Sequence, residues 1–368
     1  MKIGIDLLWV KPGKCGGTES VIRNLLDGFV LYGKEHEYVL YVAQDNVDSF
    51  SMYREYDNMS FHLCKVNSAG PLLRYFWENL HLDHLAKKDA VDVMFIPVYS
   101  KPFTYGSHIP YVTNIADLQA MHYPQYFSKL MYIFMRFIWW FACKTSDKVI
   151  TISDNVKEDL ISHYPFVKDR IQTIYNPIIT KESGLDASVI EKKYQVKANE
   201  YFYCVSSMLP HKNLETLLKV IAKLKAQGKT RPLILSGVGG KNEEFHALCR
   251  KLDIEDAVID SGFVTNEERD CLYENCRMFL FPSVFEGFGM PPIEAMRKGK
   301  RVVMTKKTCL LEVTEGKAVY VEDPFDVDEW IRKIDQADAM DAKAYAFEKY
   351  DLEQITKLYL KALMEQVG

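Results

Sequence analysis

The chain has 368 residues, 48% of them hydrophobic, which suits two domains with a core each better than one. Its formal net charge is −4 with no basic excess in either half, which excludes a nucleic-acid binder held by phosphate contacts. The eight cysteines form no CxxC pair and sit mostly in apolar runs, as reduced thiols of a cytosolic chain do.

The opening MKIGIDLLWV has Asp6 inside its apolar run and reads as a first β-strand, Lys2–Val10, not as a signal peptide. Lys11–Gly17 follows as a glycine-bearing loop, and Ser20–Tyr32 as a helix with Val21, Ile22, Leu25, Leu26, Phe29 and Val30 on one face. Glu37–Ala43, Phe61–Val66, Val91–Pro97, Tyr111–Ile115 and Lys148–Ile152 have the apolar character of buried strands, with helical patterns between several of them. Such alternation predicts a parallel sheet with helices on its faces. At Arg170–Asp186 the pattern pauses, and Pro177 with the polar KESG suggests a linker.

It then restarts. Tyr201–Ser207 is a strand, Asn213–Gln227 a helix ended by Gly228, and Pro232–Ser236 the next strand. Val258–Val264, the run from Met278, Val302–Thr305 and Ala318–Val321 complete a second sheet. Thr265 with Glu268, Asp326 with Glu329 and Asp351 with Gln354 have capping-box spacing. The last helix places Leu352, Ile355, Leu358, Tyr359, Ala362 and Leu363 on one face, which needs a surface to cover. The expected class is therefore α/β, with two tandem Rossmann-like, doubly wound domains.

Phe281–Met296, FPSVFEGFGMPPIEAM, concentrates the chemistry. The apolar run Cys276–Val284 reads as a buried strand that leads into a turn with Gly287 and Gly289, and Pro291 and Pro292 suit the first turn of a helix, where a missing N–H costs nothing. Strand, turn and helix start put free N–H groups and a positive dipole end at the carboxyl edge of a sheet, where phosphates bind. Glu286 and Glu294, read as falling in that first turn, flank the spot. Carboxylates accept hydrogen bonds from sugar hydroxyls, so the pair suits a nucleotide sugar. Taken alone, Glu294 could instead be an acid complementing the helix dipole.

On this stretch the chain resembles the retaining glycosyltransferases of family 4, of GT-B fold, whose motif is Glu, seven residues, Glu; here Glu286 and Glu294. CGGTES (Cys15–Ser20), DLQAMHYPQYFS (Asp117–Ser128), VITISDNVKEDL (Val149–Leu160), MLPHKNLETLL (Met208–Leu218) and DSGFVTNEE (Asp260–Glu268) agree in order, so the resemblance covers nearly the whole chain. It implies an acceptor-binding domain over residues 1–178, a nucleotide-sugar domain over 179–348, a central cleft, and a final helix, 349–368, returning to the first domain.

The same resemblance implies a site. Glu286, with the backbone of Gly287, Phe288, Gly289 and Met290, would meet the donor sugar, and Glu294 the ribose. Lys212, with Ser207 and His211 nearby, would pair with the diphosphate, and Gly262, Phe263 and Val264 would hold the base. Gly16 and Gly17 would bring N–H groups toward the diphosphate or sugar, and Asp117 would orient the acceptor or transferred sugar. Glu286, Asp117 and Lys212 are thus the catalytic candidates. No metal and no cofactor are implied beyond the nucleoside-diphosphate sugar as co-substrate. Two positions depart from many relatives: Ala116 stands where they have His, and His211-Lys212 where they have Arg-Lys. A protonated His211 would partly restore the missing charge.

The implied activity is transfer of a hexosyl unit to a glycan or lipid-linked glycan acceptor in surface polysaccharide synthesis, in the cytoplasm. A non-catalytic sugar-nucleotide-binding subunit of another transferase, or a GT-B nucleotide-sugar epimerase, would share the fold. Asp326 and Asp328 form a DxD pair, but capping already accounts for Asp326, so no metal is assigned. Leu130–Ala142, LMYIFMRFIWWFA, flanked by Lys129, Lys144 and Lys148, is too short to span a bilayer. It reads either as a core helix or as an interfacial face, Trp139 and Trp140 included, that touches the inner side of the membrane.

Overall fold

The structure is a computed structural model that describes residues 1–103, 109–229, 231–239 and 242–367. It divides into two compact units, Met1–Pro177 with Glu348–Gly368, and Ile178–Phe347.

The first unit contains β1 (Lys2–Asp6), α1 (Gly16–Tyr32), β2 (Glu37–Ala43), β3 (Met59–Cys64), α2 (Pro71–Lys88), β4 (Val93–Ile96) and β5 (Tyr111–Ile115). There follow α3 (Gln119–His122), α4 (Lys129–Thr145), β6 (Lys148–Thr151), α5 (Asp154–His163) and β7 (Ile171–Thr173). All strand pairs are parallel, in the order β3-β2-β1-β4-β5-β6-β7. Every residue of β4 and β5 is buried, because helices cover both faces of a parallel sheet.

In the second unit come α6 (Ala187–Tyr194), β8 (Phe202–Val205), α7 (Leu214–Ala226), β9 (Leu233–Ser236), α8 (Glu243–Lys251), β10 (Val258–Gly262) and α9 (Asn266–Asn275). β11 (Met278–Phe281), α10 (Met290–Arg297), β12 (Arg301–Thr305), α11 (Leu310–Val313), β13 (Val319–Val321) and α12 (Val327–Asp338) complete it. The sheet order is β10-β9-β8-β11-β12-β13, again all parallel. In both sheets the winding reverses after the first three strands, between β1 and β4 and between β8 and β11. Ligands of open α/β sheets bind outside the carboxyl ends of the strands at such reversals.

The last helix, α13 (Leu352–Met364), packs on α1 in the first unit. Gly28 makes the close approach: a Cβ there would stand 2.0 Å from Thr356 Oγ1. Thr356 can be buried at this contact because its hydroxyl donates to Leu352 O at 2.6 Å within its own helix.

Several local expectations change. α1 starts at Gly16, so Gly16 and Gly17 belong to its first turn and not to the loop; Gly16 takes φ +53°, which only glycine adopts freely. β1 ends at Asp6, whose carboxylate accepts the Leu8 N–H at 3.0 Å and turns the chain there. Ile171–Thr173, read as the start of a linker, is a seventh strand bonded to β6. Leu358 lies on the exposed side of α13, and Thr356 and Leu360 take the buried places.

Two capping boxes form by half. Thr265 Oγ1 accepts the Glu268 N–H at 3.2 Å, while the Glu268 carboxylate is drawn to Tyr194 and Lys193. Asp326 accepts the N–H groups of Asp328 and Glu329, while Glu329 accepts those of Glu322 and Asp323. In each case groups outside the helix outcompete the local return bond.

Candidate active site

β8 and β11 are neighbours in register, Phe202 opposite Met278 and Tyr203 opposite Phe279, so the loops that leave their carboxyl ends emerge side by side. The loop after β8 ends in a short 3₁₀ turn, Pro210–Lys212, and the loop after β11 carries the two glycines. They are bonded to each other: His211 O accepts from the Val284 N–H at 2.8 Å and from Ser283 Oγ at 3.3 Å. Asn213, at φ +51°, then starts α7, with its amide donating to Pro324 O at 2.9 Å and accepting from Thr216 Oγ1 at 2.7 Å.

This framework brings Lys212 Nζ to 2.7 Å from Glu286 Oε1, a link between residues 74 positions apart, with both side chains partly buried. The next crossover holds Glu286 from beneath. Its N–H donates to Thr308 Oγ1 at 3.2 Å, and the Cys309 thiol lies 3.2 Å from the carbonyl oxygens of both Glu286 and Phe288. Sequence reasoning missed Thr308 and Cys309. The available signal was topological, since β12 adjoins β11 and the loop after it must border the Glu286 loop.

Three residues after Glu286, Gly289 at φ +85° is the N-cap of α10, which has Pro at its first positions and receives no capping bond from a side chain there. Its amino end is therefore a place for an anion. α7 likewise starts without a side-chain cap.

His211 does not supply a second charge. It is buried, and burial together with neighbouring Lys212 pushes its pKa down to about 4. The expectation of a protonated His211 is thus corrected: the ring is neutral at pH 7, packed edge-on to Phe285 at 6.4 Å.

Glu294 falls later than expected, just past the first turn at the fifth residue of α10, too deep in the helix to complement the terminal N–H groups. Its Oε2 accepts from Tyr273 OH at 3.0 Å. Burial pushes its pKa up, opposed by nearby Arg269 and by that hydrogen bond. Tyr273 and Arg269, both on α9, carried no recognisable motif. Gly262 takes φ +67° at the end of β10, its N–H donating to Asp260 Oδ1 at 2.9 Å, and Phe263 beside it is 84% exposed. Val264 and Ser207 are partly exposed at the carboxyl ends of β10 and β8.

In the first unit, Gly16 and Gly17 open α1 after β1, and its N-cap, Cys15, makes no side-chain capping bond. Asp117, two residues beyond β5, accepts the Gln119 N–H at 2.9 Å, and Ala116 precedes it. His122 Nε2 lies 2.7 Å from Asp159 Oδ2 on α5.

Asp6, read only as part of a strand, is a fully buried carboxylate. Burial raises its pKa to about 6 despite the Leu8 N–H and nearby Arg74. Glu78, also fully buried, has its pKa pushed well up by burial and by Asp6; Arg74 Nε lies 3.1 Å from its Oε1. A carboxyl that binds its proton more tightly when folded favours the native state most below its unfolded pKa near 3.8. That contribution is lost as pH rises through about 6. Asp6→Asn is therefore expected to raise unfolding free energy by about 1–3 kcal/mol at pH 8 and by much less at pH 4, measured by urea denaturation at both.

Residues 15–182 match the family described as Glycosyltransferase Family 4, and residues 187–353 match Glycosyl transferases group 1. The O-antigen chain mannosyltransferase B of Escherichia coli is 31% identical over 226 residues, 59% of this chain and 58% of that protein. The O-antigen chain mannosyltransferase RfbU of Salmonella typhimurium is 28% identical over 261 residues, 68% of this chain and 69% of that one. In fold, the crystal structure of Anabaena HepE in complex with UDP and glucose superposes with a TM-score of 0.75 at 19% identity, covering 99% of each chain. With both units matched in succession and two parallel sheets of GT-B type, the chain belongs to the family 4, group 1 glycosyltransferases.

Proposed function

We propose that the protein is a retaining, metal-independent hexosyltransferase that uses a nucleoside-diphosphate sugar to extend a glycan or lipid-linked glycan acceptor in surface polysaccharide synthesis. It would work at the cytoplasmic side of a membrane. The observation that carries the reading is the Lys212–Glu286 pair at the strand reversal of the second unit, beside the uncapped start of α10. Two of its relatives are O-antigen mannosyltransferases, which supports the setting.

The lysine and the glutamate pair with each other at 2.7 Å. A donor diphosphate offers Lys212 a denser negative charge, and frees Glu286 to accept hydrogen bonds from the sugar hydroxyls. The N–H groups at the start of α10 meet the diphosphate, Glu294 takes the ribose hydroxyls, and exposed Phe263 stacks on the base. Asp117 orients the acceptor. The bond from the anomeric carbon to the diphosphate oxygen breaks, the acceptor oxygen bonds that carbon on the same face, and the acceptor's proton passes to the leaving diphosphate. Lys212 stabilises the charge that develops there.

A panel of UDP, GDP, ADP and dTDP sugars tests this, with thermal shift for binding and NMR of the product for anomeric configuration. The expected product keeps the donor's configuration and forms equally in EDTA. An inverted product overturns retention, loss of activity in EDTA restored by a divalent ion overturns metal independence, and tight donor binding without turnover favours a non-catalytic subunit.

A further inference from the structure

α4 is only half a core helix. Ile138, Trp139, Phe141, Ala142 and Cys143 are buried, whereas Leu130, Ile133, Phe137 and Trp140 form an exposed row at helical spacing, Leu130 at 79% and Ile133 at 62%. Trp139, grouped with Trp140 from the sequence, faces inward. A second row lies on α2, where Leu72, Leu73, Phe76 and Leu80 are exposed, Leu73 at 76% and Phe76 at 66%.

The two helices are joined through aromatic rings. Phe103 packs edge-on against Tyr75 of α2 at 5.5 Å and against Phe141 of α4 at 4.5 Å, and lies 5.4 Å from Phe137. Tyr75 also meets Phe134 of α4 at 5.5 Å. Phe103 is itself more than a third exposed, so it links Phe137 of one row to the helix that carries the other. Two exposed apolar rows on helices joined in this way call for a partner.

Charge selects the partner. α4 contains no acid and three cations, Lys129, Arg136 and Lys144, all exposed. Of the two acids on α2, Glu78 is buried beside Arg74 and Asp83 pairs with Lys87 at 2.7 Å, which leaves Lys88 and the apolar row facing water. A second copy docking by a two-fold axis would set these cations against their own kind. An anionic lipid surface accepts both features, apolar side chains below the headgroups and cations among them.

We infer that α2 and α4 together form a two-helix membrane-docking face for an anionic bilayer. In its setting this rests on the lipid-linked acceptor proposed above, but its test does not. In flotation with phosphatidylglycerol-containing vesicles the parent protein should bind, with phosphatidylcholine vesicles much less, and added salt should weaken the binding. Leu73→Ser with Phe76→Ser on α2, and Ile133→Ser with Trp140→Ser on α4, should each lower partitioning at least tenfold. Neither pair should change the melting temperature or transfer to a water-soluble acceptor.

Failure of the parent to float, parent-like flotation of the α2 pair, or a concentration-dependent dimer abolished by either pair would overturn the inference. Absence of transfer in every variant and in the parent, with flotation as expected, would instead count against the proposed activity alone.

Discussion

Glu286→Ala is expected to lower kcat/KM for sugar transfer by about 10³-fold or more, roughly 4 kcal/mol of transition-state stabilisation. The size follows from position: Glu286 lies in the loop beyond the carboxyl end of β11, its backbone held by Thr308 and Cys309, so that its carboxylate would grip the sugar as the bond to the diphosphate breaks. The fold should tolerate the change. The side chain makes one partly exposed ion pair, a kind of interaction worth about 0–1 kcal/mol, so the melting temperature should fall by at most a few degrees. Glu286→Gln keeps shape and an acceptor oxygen while losing charge, and should fall between parent and alanine variant. Steady-state kinetics with the best donor of the panel, alongside thermal melting, decides the matter. Undiminished transfer by Glu286→Ala would remove this residue from the mechanism.

Lys212→Ala should come second in size, with kcat down by about 10²-fold to 10³-fold and KM for the donor raised. Because His211, with its pKa pushed down to about 4, is uncharged at pH 7, it cannot share with Lys212 the task of meeting the leaving diphosphate. For the same reason, His211 should contribute no limb near its ordinary pKa of 6.5 to the pH profile of the parent. The Lys212–Glu286 contact gives a further reading. Residues in direct contact are coupled, so the double variant should lose less than the product of the two single losses. Simple multiplication of the two effects would mean that the Lys212–Glu286 contact has no bearing on how the donor is bound.

How much was legible in advance differs by the range of the interaction. The apolar run Cys276–Val284, the glycines after it and Pro291-Pro292 are local signals that mark a strand, a turn and a helix start, although the strand itself is shorter, Met278–Phe281. Glu294 shows the limit. Standing just past the first turn of α10, it meets Tyr273 on another helix instead of the terminal N–H groups, and a spacing pattern carries no information about that partner. Glu268 and Glu329 were placed by local rules at their own helix starts, yet each is recruited by groups outside its helix.

Burial was the other gap. The apolar run Leu130–Ala142 looks uniform in sequence, and only packing separates Trp139, which is buried, from Trp140, which is not. His211 reads as a chargeable residue, until desolvation by its surroundings makes the charged form too costly.

By itself, then, the sequence determined the alternation of strands and helices, the tandem arrangement and the stretch that carries the chemistry, because hydrophobic periodicity and turn residues act over a few positions. Only the tertiary structure decided that Lys212 meets Glu286, that Thr308 and Cys309 support it, and that α2 joins α4 in an exposed apolar face. Those facts depend on which strands lie side by side and which faces are covered, and both follow from long-range packing rather than from the neighbours of any residue in the chain.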